Sequence, residues 1–156
     1  MLLWHTIHGR WGGAAAADLY ANHVAPALKE RYGNLGKFSI LEDNDPTGNQ
    51  SKLGIAAKKA NNLKLFEIPK RSPDLNVMDY AVWSEIERRM REQERKWPAH
   101  KRETRVAFGK RLDRTAMKLP RTFIEKSIGD MRRRCSLLLE ADGGLFEEGG
   151  KARRPL

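Results

Sequence analysis

Two short acidic segments carry most of the information about this chain: LEDNDP at residues 41–46 and SPDLNVMDY at residues 72–80. The first ends a largely apolar run at residues 38–41, which is typical of a buried strand. The second opens a long stretch in which apolar residues recur at helical spacing. Each segment therefore places a carboxylate, Asp43 or Asp79, where a structural element ends or begins. One predicted helix and one predicted strand lie between them, which is enough chain to bring the two acids together.

The rest of the sequence predicts alternating strands and helices, followed by helices alone. We expect strands at residues 2–8, 37–41 and 63–68. We expect helices from Asp18 to Tyr32, at 52–60, from Asn76 to about Lys96, at 103–117 and from Pro120 to Gly143. Gly33 ends the first helix and Pro26 kinks or restarts it, Ser51 caps the second, and Trp83 lies on the apolar face of the third, in the core. This order predicts an α/β fold with a parallel part.

The positions of the two acids suggest a metal site, although each acid also has a structural interpretation. Functional groups gather beyond the carboxyl ends of parallel strands, and a carboxylate there can bind a hard cation such as Mg²⁺. Metals held by shared carboxylates can activate water and stabilise a leaving oxygen in phosphodiester cleavage. Alternatively, the residues around Asp43 form a good turn sequence, and Asp79 favours the dipole at a helix N-terminus.

The composition favours a polyanionic partner and argues against several classes of protein. The chain has 156 residues, which suggests one domain, and 30 Lys and Arg against 20 Asp and Glu give a net charge of +10. This excess suits nucleic acid, although a merely soluble basic protein would share it. The single cysteine, Cys135, excludes an internal disulfide and fits a reducing compartment. The sequence has neither an apolar run of membrane-spanning length nor a secretory signal pattern.

The amino-acid sequence of the two segments resembles motifs in the DDE/DDD catalytic domain of the Tc1/mariner transposases, within the IS630-like group. That family carries a segment like Q-D-N-D-P-K-H, matched here by EDNDP at residues 42–46, and S-P-D-L-N-P-I-E/D, matched by residues 72–79. Weaker matches are MLLW at residues 1–4 and the stretch from 128 to 135 with its following Gly pair. By this alignment Asp43 and Asp79 are the second and third metal-binding acids, 36 positions apart (79 − 43), close to the family's spacing.

The resemblance implies an RNase H-like α/β fold, with a mixed sheet flanked by helices and further helices at the C-terminal end. It implies a partial catalytic domain at residues 1–148 and a basic tail at 149–156, which its composition predicts to be disordered. It also implies Mg²⁺ or Mn²⁺ as cofactor, held by Asp43 and Asp79. The expected reaction is hydrolysis at transposon ends followed by strand transfer into target DNA. In a eukaryote the protein is expected to act in the nucleus, and otherwise in the cytoplasm or nucleoid. It is also expected to form homodimers and not to associate with membranes.

The chain also departs from the family pattern. The family's first acid lies upstream of the segment matched by residues 1–4, so we expect an N-terminally truncated domain with weakened metal binding and impaired cleavage. The alternative function is a non-catalytic nucleic-acid- or partner-binding remnant of a transposase. Thr47 and Gly48 replace a frequent Lys-His pair, and Val77 replaces the usual proline.

Several basic residues are candidates for contacts with phosphate, although a solvated helix face is the alternative for each. The candidates are Lys70, Arg71, Arg132, Arg133 and Arg134. Arg133 and Arg134 are expected to face different sides of a helix. His5 and His8 are expected to point to opposite faces of a strand, which argues against a zinc site built from this pair.

Overall fold

The computed structural model describes residues 9–33, 39–70 and 72–144, together with residues 3, 5, 7 and 146. The strand expected at residues 2–8 lies largely outside the described residues. The basic tail expected at 149–156 and the candidate Arg71 lie outside them as well.

The first helical region begins earlier than the sequence predicted. It consists of three consecutive segments: α1 (Gly13–Asp18), a π-helical turn (Leu19–Val24) and α2 (Ala25–Tyr32). The expectation that Asp18 starts a helix is wrong, because the alanines at 14–17 are strong helix formers and extend the helix toward the N-terminus. Pro26 lies at the start of α2, directly after the π-helical turn, and the backbone stays helical at Val24 and Ala25. Gly33 ends α2 with φ of 71°, as predicted.

The sheet confirms the predicted parallel part of the fold. Strand β1 (Ser39–Leu41) pairs in parallel with β2 (Lys64–Phe66), and Ile40 lies opposite Leu65. These are the two strands in the described part of the chain. Helix α3 (Lys52–Ala60) connects them and forms the crossover that a parallel pair requires. Both carboxyl ends of the strands therefore lie at the same edge of the sheet.

Helix α3 begins where the sequence predicted. The Oγ atom of Ser51 accepts a hydrogen bond of 3.0 Å from the backbone N–H of Gly54, which is the interaction that an N-cap serine makes. Gly54 is buried, and a Cβ atom at this position would lie 2.4 Å from the carbonyl oxygen of Gly48. The close approach fixes the loop after β1 against the start of α3.

The segment after β2 forms a compact turn that leads into the longest helical region. Pro73–Leu75 is a 3-10 turn, Met78–Val82 is a π-helical turn, and α4 spans Trp83–Glu94. Asn76 is buried between them: its Oδ1 accepts from the backbone N–H of Met78 at 3.1 Å, and its carbonyl accepts from that of Asp79 at 2.9 Å. The SPDLN sequence is therefore a structural turn that positions the next residues.

The C-terminal part is helical, as predicted, but it contains one more helix. The segments are α5 (Arg105–Met117), α6 (Arg121–Gly129) and α7 (Met131–Glu140). The Oγ1 atom of Thr104 caps α5 by accepting from Ala107 at 3.2 Å. The single helix expected after Pro120 is wrong, because Gly129 is a poor helix former and the chain begins a new helix after Asp130.

Two clusters of buried apolar side chains stabilise the fold. The first cluster joins the N-terminal helical region to the residue before β2, and its buried members are Ala16, Tyr20, Ala25 and Leu63. The second joins the start of α4 to the end of α5 and the residue that follows, and its buried members are Val82, Ile86, Met90, Ala116 and Leu119. The core position expected for Trp83 is wrong, since 45% of this residue is exposed. The buried row runs through residues 82, 86 and 90, and Trp83 lies about 100° around the helix from Val82. No helix in the described residues is both long and apolar enough to cross a membrane.

Candidate metal centre

Asp43 and Asp79 line the same cleft, at the carboxyl-terminal edge of the parallel strands. The cleft has a volume of about 140 Å³ and is lined by Asp43, Asn44, Ile68, Pro69, Ser72, Pro73, Asn76 and Asp79. Both carboxylate residues are exposed, so their side chains are accessible from solvent. The two acids that the sequence singled out are thus neighbours in space, although 36 positions separate them in the chain.

The backbone brings the two acids together in two steps. Asp43 is the second residue after β1. The adjacent Asn44 donates a hydrogen bond of 3.0 Å from Nδ2 to the carbonyl oxygen of Ile68, which lies beyond the end of β2. The capped turn at Asn76 then directs the chain back, and Asp79 follows in the first turn of the helical region. Asp79 is therefore held by backbone geometry.

The side chain of Asp43 is oriented by Asn49. The Nδ2 atom of Asn49 donates a hydrogen bond of 2.5 Å to Asp43 Oδ1. The Oδ1 atom of the same amide lies 2.9 Å from the hydroxyl of Tyr20, and its backbone carbonyl accepts 2.9 Å from Lys58 Nζ. Because Tyr20 and Lys58 fix Asn49, the carboxylate of Asp43 has a preferred direction in the absence of any ligand.

Beneath the cleft, Glu42 and Lys58 form a buried ion pair. The side chain of Lys58 is 3% exposed and that of Glu42 is 11% exposed. The second oxygen of Glu42 lies 2.5 Å from the hydroxyl of Tyr20. Burial, the hydrogen bond to Glu42 and the nearby charges of Glu42, Asp43 and Asp45 raise the pKa of Tyr20 far above its ordinary value, so the phenol is neutral. These groups join the end of β1 to the π-helical turn and to α3.

Asp45, the second acid of the DNDP sequence, has a structural role. Its carboxylate accepts hydrogen bonds from Trp11 Nε1 at 2.7 Å, from the N–H and hydroxyl of Thr47, and from the N–H of Gly48 at 2.7 Å. Desolvation opposes the charge, but these hydrogen bonds outweigh it and hold the pKa of Asp45 well below its ordinary value. Gly48 is required here because a Cβ atom would lie 2.3 Å from the ring of Trp11. At position 48, where the family often has histidine, this contact leaves no room for a side chain.

The donor set of the cleft suits a hard divalent cation. Two aspartates, Asp43 and Asp79, and two asparagines, Asn44 and Asn76, line one small cleft. Oxygen donors of this kind are those that Mg²⁺ and Mn²⁺ prefer. In the part of the chain that the structure describes, the lining contains two carboxylates, so a bound ion would keep several positions for water or substrate oxygens.

The basic candidates differ in their accessibility. Lys70 is exposed one residue beyond the cleft residue Pro69, and Arg132 is exposed on α7. Arg133 is half exposed and pairs with Asp130 at 2.7 Å. Arg134 is buried: its guanidinium donates to Asp130 and to the carbonyl of Asp74, and it lies 3.8 Å from the ring centroid of Tyr80.

This placement favours a structural role for Arg134, which joins α7 to the turn at Asp74, and not the predicted phosphate contact. The side chains of Arg133 and Arg134 differ in exposure, at 52% and 5%, although both pair with Asp130.

The supporting residues were not recognised from the sequence. Asn49, Lys58 and Tyr20 act through contacts between positions 9 to 29 apart in the chain, and no local pattern announces such pairs.

Comparison with known proteins supports the resemblance inferred from the two acidic segments. The chain is 26% identical over 127 residues to the Tcb1 transposase of Caenorhabditis briggsae, covering 81% of this chain and 42% of the relative. It is 29% identical over 112 residues to the Tc1 transposase of Caenorhabditis elegans, covering 70% of this chain and 37% of the relative. The chain thus spans about two fifths of the length of these curated relatives. No family-level sequence profile matches it.

Solved structures with the same fold include the catalytic domain of Mos1 transposase. The structure of that domain with raltegravir and Mn matches with a TM-score of 0.70 at 19% identity, covering 89% of this chain and 67% of the other. The structure with raltegravir and Mg matches with a TM-score of 0.69 at 20% identity. These likenesses confirm the predicted RNase H-like α/β fold. Together with the sequence matches they confirm the resemblance to the Tc1/mariner catalytic domain.

Proposed function

We propose that this chain, which resembles the Tc1/mariner transposase catalytic domain in sequence and in fold, supplies two metal-binding carboxylates for phosphodiester cleavage and strand transfer in DNA. The observation that carries the proposal is that Asp43 and Asp79 line one cleft. The relatives act as transposases by name, and Mos1 catalytic-domain structures contain Mn or Mg. DNA transposition is therefore the reaction to which we assign this site.

In this proposal each residue of the cleft has a defined task. Asp43 and Asp79 hold Mg²⁺ or Mn²⁺ through their carboxylate oxygens, and Asn49 positions Asp43 through its hydrogen bond of 2.5 Å. When bound, the cation supplies a polarised water and stabilisation of the leaving oxygen. The capped turn at Asn76 keeps Asp79 in place, which avoids the entropy cost of ordering it at the moment of binding.

The proposed partner is DNA, at transposon ends and at the target. The net charge of +10 supports a polyanionic partner. Lys70, next to the cleft, and the exposed Arg132 and Arg133 are the described residues that we assign to phosphate contacts, and Arg71 remains a candidate by its position in the sequence. A homodimer acting in the nucleus, without membrane association, completes the proposal by analogy with the eukaryotic relatives.

A second candidate function is a non-catalytic nucleic-acid- or partner-binding domain. The observation in its favour is that the lining of the cleft, among the described residues, holds two carboxylates, whereas the family uses three. With two ligands, we propose that the cation binds more weakly and that cleavage by this chain alone is impaired. DNA binding through the basic residues would not require the third acid.

The two candidates are separated by a nicking assay on supercoiled plasmid with Mg²⁺ or Mn²⁺. The variants are Asp43→Asn and Asp79→Asn, and the matched control is Asp142→Asn, which neutralises an exposed acid beyond α7. If the cleft catalyses cleavage, each cleft variant should lose more than the about 10–100-fold that removal of an outer-shell partner costs, while the control keeps its rate.

Two results argue against the catalytic proposal. Nicking that is equal in wild type and both cleft variants would place the activity elsewhere. Absence of nicking in wild type, combined with plasmid binding that weakens steeply with salt, would favour the binding function.

A further inference from the structure

A second group of metal-ligating side chains lies in the N-terminal part of the chain. His5, Asp18 and His23 each offer one ligand atom, and these atoms all lie within 4.8 Å of one another. The imidazole rings of His5 and His23 are stacked, with centroids 3.8 Å apart and planes inclined by 28°. His23 Nε2 lies 3.7 Å from Asp18 Oδ2. Among the described residues, none of the three lines the cleft of Asp43 and Asp79.

The π-helical turn is what brings Asp18 and His23 together. Five positions separate them, and in a regular α-helix such residues point about 140° apart. The turn at Leu19–Val24 has wider, i to i+5 bonding, which brings these positions toward one face. Asn22 then donates a hydrogen bond of 2.7 Å to Asp18 Oδ1, which leaves Oδ2 directed toward His23.

We propose that His5, Asp18 and His23 form a binding site for a borderline transition-metal ion, with Zn²⁺ as the best fit. Two imidazoles and one carboxylate are a donor set that zinc uses, with the fourth position left to water. Ligand atoms on one tetrahedral zinc ion lie about 3.3–3.6 Å apart, given bond lengths of about 2.0–2.2 Å. The observed limit of 4.8 Å is larger, so binding would draw the three side chains together and rotate the stacked rings until their nitrogen lone pairs meet at the ion. A bound ion would link His5 to the helical region that carries Asp18 and His23, and would restrain the position of residue 5.

The donor atoms also distinguish this site from the proposed catalytic centre. Nitrogen donors favour Zn²⁺, Ni²⁺ and Cu²⁺, whereas carboxylates favour Mg²⁺ and Mn²⁺. The hydrogen bond from Asn22 matches the outer-shell contact that orients a ligating carboxylate. Sequence reasoning considered His5 only with its near neighbour His8, because nothing in the pattern connects position 5 with position 23.

The test is calorimetric titration of the full, tag-free chain with Zn²⁺ after treatment with a chelator. The site predicts one Zn²⁺ per chain. His23→Ala and the nearly isosteric Asp18→Asn should each weaken binding at least about tenfold, and Asn22→Ala should weaken it by about 10–100-fold as an outer-shell change. His100→Ala removes an exposed histidine elsewhere and should leave binding unchanged. Far-ultraviolet circular dichroism confirms that each variant is folded.

A second readout uses Co²⁺ in place of Zn²⁺, because its visible absorption reports tetrahedral coordination by histidine. The spectrum should be present in wild type and in Asp43→Asn, and should be lost in His23→Ala. No Zn²⁺ binding by wild type, or equal binding by His23→Ala, would overturn the proposal. Loss of binding in Asp43→Asn with retention in His23→Ala would assign the ion to the acidic cleft and would overturn it as well.

Discussion

The buried pair formed by Glu42 and Lys58 gives the sharpest prediction of stability. Lys58 is 3% exposed and Glu42 is 11% exposed, and Lys58 also donates 2.9 Å to the carbonyl of Asn49. Replacing Lys58 with methionine keeps most of the stem but leaves the carboxylate of Glu42 without its cation in a poorly solvated place. Removal of one partner from a buried pair typically costs about 3–5 kcal/mol. We therefore expect Lys58→Met to lower the free energy of unfolding by that amount.

The measurement is urea denaturation at neutral pH, followed by circular dichroism, with the slope of the transition as a check on compactness. For a domain of this size the loss corresponds to a fall in Tm of about 6–20 °C, at about 2–4 °C per kcal/mol. The matched control is Arg91→Met. Arg91 pairs with Glu87 on the exposed face of α4, where the side chains are 68% and 61% exposed. This change should cost about 0–1 kcal/mol.

A double variant isolates the cause of the loss. Glu42→Gln combined with Lys58→Met removes both charges, so most of the cost of Lys58→Met should be recovered, since the uncompensated carboxylate is gone. A loss for Lys58→Met no greater than that for Arg91→Met would refute the reasoning. It would mean that the pair is solvated and does not hold the end of β1 against α3.

Three further predictions concern the loop after β1 and the C-terminal helices. Gly48→Ala should cost about 1–3 kcal/mol in thermal unfolding, because the added Cβ would lie 2.3 Å from the ring of Trp11; an unchanged Tm would contradict the close contact. The pKa of Asp45 is lowered on folding, so its contribution to stability is complete above the ordinary pKa of about 3.9 and declines as pH falls below it; the stability difference between wild type and Asp45→Asn should shrink only in that acid range. Tyr80→Phe removes a hydrogen bond of 2.5 Å to the carbonyl of Ser127 and should cost about 1–3 kcal/mol, and a cost near zero would show that water replaces it.

Elements set by local signals were predicted well from the sequence. The bounds of α3 and its serine cap, the glycine end of α2 and the parallel strand pair all follow from capping, periodicity and chain order. The two acids were found because their flanking turns carry the same signals. Arg134 and Trp83 were misjudged, since a basic run or a helical wheel does not say which side a helix packs.

The contacts that complete the two sites depend on tertiary structure. Asn49 meets Asp43 and Tyr20 only after the loop folds against the π-helical turn, and Asp18 meets His23 only through that turn. A π-helical turn changes the side of the helix on which later residues lie, and no residue pattern in this chain predicts such a turn. The sequence therefore predicted that Asp43 and Asp79 lie close together, but not the side chains that contact Asp43.

The central claim is that Asp43 and Asp79 form one metal centre, and the binding of Mn²⁺ followed by electron paramagnetic resonance tests it most directly. We expect wild type to bind Mn²⁺, Asp43→Asn and Asp79→Asn each to weaken it by at least about tenfold, and the double variant to lose little more than either single change, because the two ligands act on the same ion. The control Asp142→Asn should bind as wild type does. Binding as tight as that of wild type in the double variant, or losses that are independent and additive, would contradict the claim.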